Sequence, residues 1–378
     1  MNIVILSNQS FFQELKTNKW HTATHLSRLG HRVVFIDPPL RFKAIKNLFS
    51  GKHSDDSLGV IVLRPLRPSL LKDFTKPFPI LDHLFVKYTA WKIKQLLGND
   101  IVLWVYHIGY PDLVELIKQI KPIKLIYDLV DEYTEFPEYK NIKSWIIERE
   151  NWLLKEADIC FTSAPALYKK AFKINKNSYY TPNAGDFELF SKAVLGVPSD
   201  IKDIPHPRVG FAGALDDFKV DIGLIKKCAE ELPKVSFVLI GPQRVSQGAN
   251  FNSSALTKYS NIHLLGQKKF MELPQYYQNF GAYYIPYVLN DYTMGGCFPV
   301  KFFEALSCGL PLTVTNLPAY HEFKDFCYIA KSDNDFVRLV KKSLEEDSKD
   351  RRSDRQKIAK ANSYDNKVKK QLELLRHL

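Results

Sequence analysis

The sequence predicts an α/β protein built from two parallel-sheet domains. Short, continuously apolar segments alternate with helix-like segments along most of the chain, a pattern typical of parallel strands that are buried on both faces. The alternation stops over residues 191–206, where Pro, Gly, Ser and Asp occur without a clear period, and then restarts. Two such runs indicate two Rossmann-like domains, and we expect them to face each other across a cleft.

The first run covers residues 1–190 and forms the predicted N-terminal domain. Pro38 and Pro39 end its second strand, because proline cannot donate to a sheet ladder. The break at 191–206 is the predicted linker. The candidate strands are NIVIL (2–6), HRVVFID (31–37), GVIVLRP (59–65), DIVLWVY (100–106), IKLIYDL (123–129) and DICFTS (158–163).

The second run predicts a C-terminal domain over residues 207–355. Helical segments are expected at LIKKCAEEL, near 270–279 and from Pro299 onward. Residues 356–378 are highly charged and favour a terminal helix. The candidate strands are RVGFAGA (208–214), VSFVLIGP (235–242), NIHLLG (261–266), AYYIPY (282–287) and PLTVT (311–315).

Composition narrows the class of protein. The chain has 378 residues, of which 45% are hydrophobic and 25% charged, as in globular proteins with large cores. Its net charge of +12 suits an anionic membrane surface or a phosphorylated ligand. No zinc finger or RNP-like aromatic motif occurs, so nucleic acid is not an expected partner. The five cysteines are odd in number and widely spaced, which argues against disulfides or structural zinc and fits a reducing cytoplasm.

Two further features concern the membrane. The segment MNIVILSNQSFF lacks the basic region of a signal peptide, and no apolar run reaches the roughly 18 residues of a membrane span. Between residues 41 and 78, however, basic and large apolar residues alternate in RFKAIKNLFSGKH and RPLRPSLLKDFTKPF. Such alternation is expected of a surface on an anionic bilayer, although a solvated loop–helix segment is the alternative. We therefore expect a cytoplasmic protein that binds peripherally at the inner membrane face.

Residues 298–314, FPVKFFEALSCGLPLTV, predict a short helix, a tight turn and a buried strand. Pro299 suits the first helical position, and Lys301 then lies in the first turn with Glu304 three residues later. Free amides at a helix start, together with Lys301, could hold a diphosphate. Glu304 could accept hydrogen bonds from the hydroxyls of a ribose. The alternative is a surface Lys–Glu pair that contributes roughly a few tenths of a kcal/mol.

The stretch FPVKFFEALSCGLPLTVTNLPAY resembles the nucleotide-binding region of GT-B glycosyltransferases, in particular glycosyltransferase family 4 (group 1). Four more stretches resemble the same family in the same order: YDLVDEYTEFPE, TPNAGDFELF, RVGFAGALDDFKVDIGLIKKCAEELPKVSFVLIGP and NIHLLGQKKFMELPQYYQNFGAYYIPYVLNDYT. The first of these is similar to capsule and teichuronic-acid type transferases and, more distantly, to the xanthan glucuronosyltransferase. The resemblance implies a GT-B fold in which residues 356–378 cross back to the N-terminal domain.

The resemblance also implies a reaction. A sugar would pass from a nucleotide-sugar donor, UDP-linked in our expectation, to a glycan or lipid-linked acceptor in bacterial cell-surface polysaccharide synthesis. The nucleotide sugar is a substrate, and no separate cofactor is expected. GT-B enzymes generally need no metal, and the segment LDD at 215–217 is not the D-x-D motif of metal-dependent transferases.

Leaving-group stabilisation requires cations and amides around the developing diphosphate. We expect Lys301 to supply the main cation, with Arg244 or Lys219 as a second, and Glu304 to bind the ribose. The loop GQKK, which contains Gln267, should meet the base through its backbone. The remaining donor-side candidates are the amides of Gly295 and Gly296 and the loop residues Asn290 and Thr293.

Candidates on the acceptor side lie in the N-terminal domain. Asp131 follows a strand end, where it could take the proton of the acceptor hydroxyl and support inversion. Asp128 or Glu132 could do the same. In a retaining enzyme, as family 4 members generally are, Asp131 would orient the acceptor instead. Further acceptor-side candidates are His21, His25 and His107.

Two other functions fit the same fold. A nucleotide-sugar 2-epimerase would act on the donor without an acceptor. A catalytically inactive GT-B scaffold protein would bind no nucleotide, or would bind it without turnover. The scaffold hypothesis is kept because Gly296 occupies the position where many family members carry a first glutamate, and because SNQSFF replaces the glycine-rich loop of the N-terminal domain.

Overall fold

The structure is a computed structural model, and it describes residues 1–41, 54–55, 58–67, 80–110, 113–243 and 251–378. The chain divides into two compact α/β units. Unit 1 comprises Met1–Thr134, Tyr139–Thr181 and Val368–Leu378, and unit 2 comprises Glu135–Glu138 and Pro182–Lys367. The predicted fold class is confirmed in that each unit contains a Rossmann-like parallel sheet.

The strands of unit 1 form one large sheet and one short pair. They are β1 (Asn2–Leu6), β2 (Arg32–Ile36), β3 (Leu40–Arg41), β4 (Ser54–Asp55), β5 (Val60–Leu63), β6 (Leu66–Arg67), β7 (Ile101–Val105), β8 (Lys124–Leu129), β9 (Ile159–Thr162) and β10 (Ser178–Tyr180). The sheet order is β10-β9-β8-β7-β1-β2-β5-β4, and β3 pairs with β6. The pairs of the large sheet are parallel except β4 against β5.

Helices connect these strands. They are α1 (Asn18–Arg28), α2 (Ile80–Leu97), α3 (Leu113–Ile120), α4 (Lys143–Glu156) and α5 (Pro165–Ile174). The central strands β1 and β7 are almost entirely buried, as their continuous apolar sequences predict. None of the helices in the described ranges is long and apolar enough to cross a membrane.

Unit 2 contains a six-stranded sheet whose pairs are all parallel. Its strands are β11 (Arg208–Ala212), β12 (Ser236–Ile240), β13 (Ile262–Leu264), β14 (Ala282–Ile285), β15 (Leu312–Thr315) and β16 (Tyr328–Ala330). The order β13-β12-β11-β14-β15-β16 places the third, second, first, fourth, fifth and sixth strands side by side. This is the Rossmann order, in which the direction of winding reverses between β11 and β14. Ligands of such sheets bind beyond the carboxyl ends of the strands at this reversal.

The remaining helices are α6 (Phe187–Phe190), α7 (Ile222–Glu231), α8 (Leu273–Tyr277), α9 (Asp291–Gly296), α10 (Lys301–Ser307), α11 (Asp333–Glu345), α12 (Lys349–Ala361) and α13 (Tyr364–Arg376). Helix α13 begins in unit 2, and its residues from Val368 belong to unit 1. The strands β3, β4, β6, β10 and β16, each of two or three residues, were not predicted.

The segment 191–206, predicted as a linker, belongs to unit 2 and packs against it. It has no helix or strand, but Ile201 and Ile204 are buried. Asp200 accepts a hydrogen bond from the Tyr276 hydroxyl at 2.9 Å and pairs with Lys268 at 2.6 Å. The irregular sequence therefore marks an ordered connection held by a few side chains.

Helix α10 is held at its C-terminal end by α12. All residues from Phe302 to Ser307 are buried, as expected of a helix that is apolar on nearly every side. Gly309 adopts a φ of +73°, which ends the helix in the left-handed conformation. Arg352 donates to the Cys308 carbonyl at 3.1 Å and Arg355 to the Gly309 carbonyl at 3.0 Å. These cations suit the negative end of the helix dipole.

Candidate functional site

The Lys301 ammonium lies at the carboxyl ends of β11 and β14. It donates to the Tyr287 hydroxyl at 2.8 Å and lies 4.8 Å from the centre of the Phe211 ring. A Cβ atom on Gly213, the residue after β11, would be 2.3 Å from Lys301 Nζ, so the approach requires glycine. Helix α10 thus places a cation at the reversal point of the sheet, where open α/β sheets bind their ligands.

The environment of Lys301 disfavours its charge. The pKa of the ammonium is lowered to about 8, mainly by burial. The nearby Lys219 charge acts in the same direction, whereas Cys297 and Glu304 act in the opposite direction. A bound anion stabilises the protonated form of a lysine whose pKa is depressed, and it therefore raises that pKa. Lys301 is therefore suited to hold a negatively charged ligand.

Glu304 is also buried, with only 6% of its surface exposed. The pKa of its carboxyl is raised to about 7, mainly by burial. The Lys301 charge opposes this rise, and the Asp186 charge adds to it. Although Lys301 and Glu304 are three residues apart on one helix, they form no ion pair within 4.0 Å in the described chain. The alternative of an exposed Lys–Glu surface pair is therefore wrong.

Two tyrosines that sequence reasoning missed set the position of Glu304. The Tyr277 hydroxyl donates to Glu304 Oε2 at 3.3 Å and lies 2.9 Å from the Tyr283 hydroxyl. The Tyr283 hydroxyl in turn accepts from the Ala212 amide at 2.7 Å, at the end of β11. This chain of buried hydroxyls links the carboxylate to the strand end beside Lys301. The dense aromatic run LPQYYQNFGAYYIPY was the available signal.

The segment TPNAGDFELF packs against the start of α10. Asn183 Nδ2 donates to the Phe298 carbonyl at 2.7 Å. A Cβ atom on Gly185 would lie 2.9 Å from the Phe303 carbonyl carbon, so this motif glycine is required for close packing. The motif, which the sequence had linked only to the family, therefore positions the helix that carries Lys301 and Glu304.

Lys219 lies near the same site. Its ammonium sits 4.9 Å from the Tyr292 ring centre and 5.5 Å from that of Phe136, which are cation–π distances. Its positive charge also lowers the pKa of Lys301. The structure thus brings together the two lysines that were predicted on the donor side.

Asn290 and Thr293 were predicted in a loop, and this expectation is corrected. They form a capping box at the start of α9: Asn290 Oδ1 accepts from the Thr293 amide at 2.9 Å, and Thr293 Oγ1 accepts from the Asn290 amide at 3.0 Å. Asn290 Nδ2 also donates to the Phe218 carbonyl at 2.8 Å. Their polar groups stabilise a helix. Gly295 and Gly296 are the last residues of that helix.

Two other donor-side candidates differ in how much can be said of them. Gln267 is exposed in the loop after β13, next to Gly266, whose carbonyl accepts from the Gly241 amide at 2.9 Å. Arg244 lies outside the described residues. So do residues 42–53, 56–57 and 68–79, which make up most of the predicted basic–apolar membrane surface.

In unit 1 the acceptor-side candidate Asp128 is a buried residue of the sheet. Asp128 lies within β8 and has no exposed surface. Its Oδ2 accepts from Trp104 Nε1 at 3.1 Å and from Gln371 Nε2 at 3.2 Å. Gln371 belongs to α13, so Asp128 holds the end of the last helix against the sheet.

Glu132 is engaged by a lysine. Lys170 Nζ lies 2.8 Å from Glu132 Oε1 and also pairs with the buried Glu150. Burial raises the pKa of Glu150, and the Lys170 charge opposes this. Asp131 follows β8 directly and keeps partial exposure. Asp131 and Glu132 are therefore partly exposed at the end of β8, whereas Asp128 is not.

The predicted histidines His21, His25 and His107 are buried. His107 follows β7 by two residues, and its Nε2 lies 2.7 Å from the Tyr139 hydroxyl. Burial, with a smaller effect of Lys19, lowers the pKa of His107 to about 3. The pKa of His21 on α1 is also well below its usual range because of burial. The backbone carbonyl oxygen of His21 lies 2.8 Å from His25 Nδ1. Within the described ranges, no group of three or more His, Cys, Asp or Glu side chains could hold a metal ion.

Two units that each contain a Rossmann-like parallel sheet are the architecture of GT-B proteins. Residues 206–346 match the family model described as Glycosyl transferases group 1. The chain is also 27% identical over 201 residues to TuaH of Bacillus subtilis, which is named as a candidate glycosyltransferase of teichuronic acid biosynthesis. That alignment covers 51% of this chain and 50% of TuaH, so it spans about half the length of this curated relative.

Solved structures give the fold over the whole chain. Sucrose-phosphate synthase from Thermosynechococcus elongatus superposes with a TM-score of 0.75 at 12% identity, covering 100% of this chain and 98% of that one. HepE from Anabaena, solved in complex with UDP, gives 0.70 at 15% identity and covers 100% of both chains. The predicted resemblance is confirmed: the chain has the GT-B fold, and residues 206–346 of its second unit match the group 1 family model.

The pKa of Glu304 predicts a pH dependence of stability. A carboxyl whose folded pKa is raised from 4.5 to about 7 stabilises the fold fully below pH 4.5, and this contribution is lost as the pH rises through 7. The melting temperature of the wild type relative to Glu304→Gln should therefore fall between these pH values, measured by thermal unfolding.

The control is Glu272→Gln, which changes an exposed carboxylate of the same unit. Its difference from the wild type should stay nearly constant with pH. If the melting temperature of the wild type instead rose relative to that of Glu304→Gln with increasing pH, Glu304 would be a stabilising, ion-paired carboxylate, contrary to the structure.

Proposed function

We propose that this protein is a glycosyltransferase that moves a sugar from a UDP-linked donor to a glycan or lipid-linked acceptor in bacterial cell-surface polysaccharide synthesis. The observation that carries the proposal is the pair of ionisable groups, the partly buried Lys301 and the buried Glu304, at the reversal point of the unit 2 sheet. Buried charges that do not pair with each other cost folding free energy, and a bound ligand would offset that cost. The group 1 match over residues 206–346 supports glycosyl transfer.

The relatives support the choice of donor and pathway. HepE, which shares the fold, has been solved with UDP and with UDP-glucose. TuaH is named for the synthesis of teichuronic acid, a cell-surface polysaccharide. We propose the same donor class and the same kind of product for this chain, at the cytoplasmic face of the membrane.

Lys301 would stabilise the leaving group. With a pKa of about 8 it is mostly protonated at pH 7, and the diphosphate would raise that pKa and complete its protonation. As the bond between the sugar and the diphosphate breaks, negative charge grows on the oxygen beside this cation. Lys219 would supply a second positive charge, and Glu304, held by Tyr277, would accept hydrogen bonds from the ribose hydroxyls.

Asp131 would act on the acceptor. In an inverting reaction it takes the hydroxyl proton as the acceptor oxygen forms its bond to the sugar. In a retaining reaction it orients the same hydroxyl. Both roles need the partial exposure that Asp131 has and Asp128 lacks.

The donor site is tested by ligand-induced stabilisation. At 100 times its Kd, UDP should stabilise the wild type by about 2.7 kcal/mol, a shift visible in thermal unfolding. Lys301→Met should lose most of this shift. Lys227→Met, which removes a lysine from an exposed i,i+4 pair on α7, should keep it. If GDP, ADP or CMP replaced UDP, the donor class would change; if no nucleotide stabilised the wild type, the scaffold hypothesis would replace the enzyme.

The acceptor side is tested by turnover. Asp131→Asn should lower sugar transfer by about 10²-fold or more while leaving UDP stabilisation intact, because the change removes acceptor activation only. Asp100→Asn, an exposed change in the same unit, should leave both unchanged. Product analysis separates the remaining alternative, since an epimerised nucleotide sugar formed without acceptor would identify a 2-epimerase.

A further inference from the structure

Helix α2 carries an apolar face that is exposed. Leu84, Tyr88 and Trp91 are 54%, 53% and 55% exposed. Their spacing of four and three residues places them on one side of the helix. The Tyr88 and Trp91 rings stack at 5.7 Å between centres, so the two aromatics form one surface.

The opposite side of α2 already supplies the contact with the core. Its buried residues are Val86, Thr89, Ala90, Ile93 and Leu97. The exposed trio is therefore not needed for packing within unit 1. Clustered large apolar side chains on a surface indicate an interaction site, whereas single ones do not.

The charged residues on this side of α2 have one sign. Lys87 and Lys92 are exposed on the same side of the helix, next to Tyr88 and Trp91. Residues 83–97 contain no Asp or Glu. The partner of this face must therefore combine an apolar layer with negative charge.

We propose that this face of α2, formed by Leu84, Lys87, Tyr88, Trp91 and Lys92, docks on an anionic lipid surface. Tyr and Trp rings favour the level of the lipid headgroups, and the leucine one turn before Tyr88 can reach the acyl boundary. The lysine ammonium groups extend to the lipid phosphates while their stems cover apolar surface. The net charge of +12 adds a general attraction to such a surface.

The size of the face favours lipid over a protein partner. Three apolar side chains bury far less than the roughly 800 Å² per partner of a stable protein interface. A membrane needs no such area, because several weak contacts with many lipids add together.

This inference deepens the proposed function, on which it rests for its purpose, because a lipid-linked acceptor would be met at such a surface. Its test requires no donor, acceptor or turnover. Failure of lipid binding and failure of glycosyl transfer can therefore be told apart.

The experiment measures cosedimentation of the full chain with vesicles of phosphatidylcholine, with and without phosphatidylglycerol. The wild type should bind the anionic vesicles, and the triple variant Leu84→Gln, Tyr88→Gln, Trp91→Gln should bind them at least about tenfold more weakly. A matched triple variant, Ile123→Gln, Leu195→Gln, Met271→Gln, removes three scattered exposed apolar residues and should bind like the wild type.

The lysines are tested separately. Lys87→Gln with Lys92→Gln should weaken binding to anionic vesicles by about fivefold per lysine. Lys155→Gln with Lys173→Gln makes the same change of net charge at other exposed sites of unit 1 and should have a smaller effect. Unchanged melting temperature and UDP stabilisation would show that the variants remain folded.

Three results would overturn the proposal. The wild type could fail to bind anionic vesicles, the α2 triple variant could bind as well as the wild type, or both triple variants could lose binding equally. Self-association of the wild type that only the α2 variant abolishes, without lipid binding, would instead assign the face to a second copy of the chain.

Discussion

The architecture of unit 2 depends on holding a cation and a carboxylate in apolar surroundings without letting them neutralise each other. Lys301 and Glu304 lie on the same helix, α10. Burial lowers the pKa of Lys301 to about 8 and raises the pKa of Glu304 to about 7, so that the charged form of each group is disfavoured. A protein selected for stability alone would gain by replacing such groups with apolar residues. Their presence is understandable if a ligand supplies the missing charge and hydroxyl groups.

The surrounding contacts keep these two groups in place. Arginines of α12 hold the end of α10, and the motif residues Asn183 and Gly185 pack against its start. The Tyr277 and Tyr283 hydroxyls connect Glu304 to the end of β11, beside Gly213, where the cation lies. Preorganisation of this kind lets a site act on a developing charge without rearranging first.

Sequence reasoning succeeded where the signal is local. Apolar runs marked the longer strands of both sheets, and the sequence around Lys301 and Glu304 located helix α10, although that helix begins at Lys301 and not at Pro299. The capping box of Asn290 and Thr293 was also readable, since Asn followed three residues later by Thr is a helix-start pattern, but it was taken for a loop. Asp128 lay inside the predicted strand 123–129, but its complete burial and its contact with α13 have no local signal.

Other features could not have been read from the sequence. The partner of Asp128 is Gln371, which is 243 residues away, and no local pattern links them. The hydrogen bond between the Tyr287 hydroxyl and Lys301 joins residues that are 14 positions apart, a contact that no local pattern indicates. The exposure of Tyr88 and Trp91 likewise depends on which side of α2 faces the core. Long-range placement, and not residue type, gives these side chains their roles.

The central claim, that a diphosphate completes the protonation of Lys301, is tested most directly by calorimetric titration of UDP at pH 8 in buffers of different ionisation enthalpy. A lysine with a pKa of about 8 is half protonated there. Binding should therefore take up roughly half a proton, and Lys301→Met should abolish this uptake. UDP binding without proton uptake, or with equal uptake in the variant, would contradict the account.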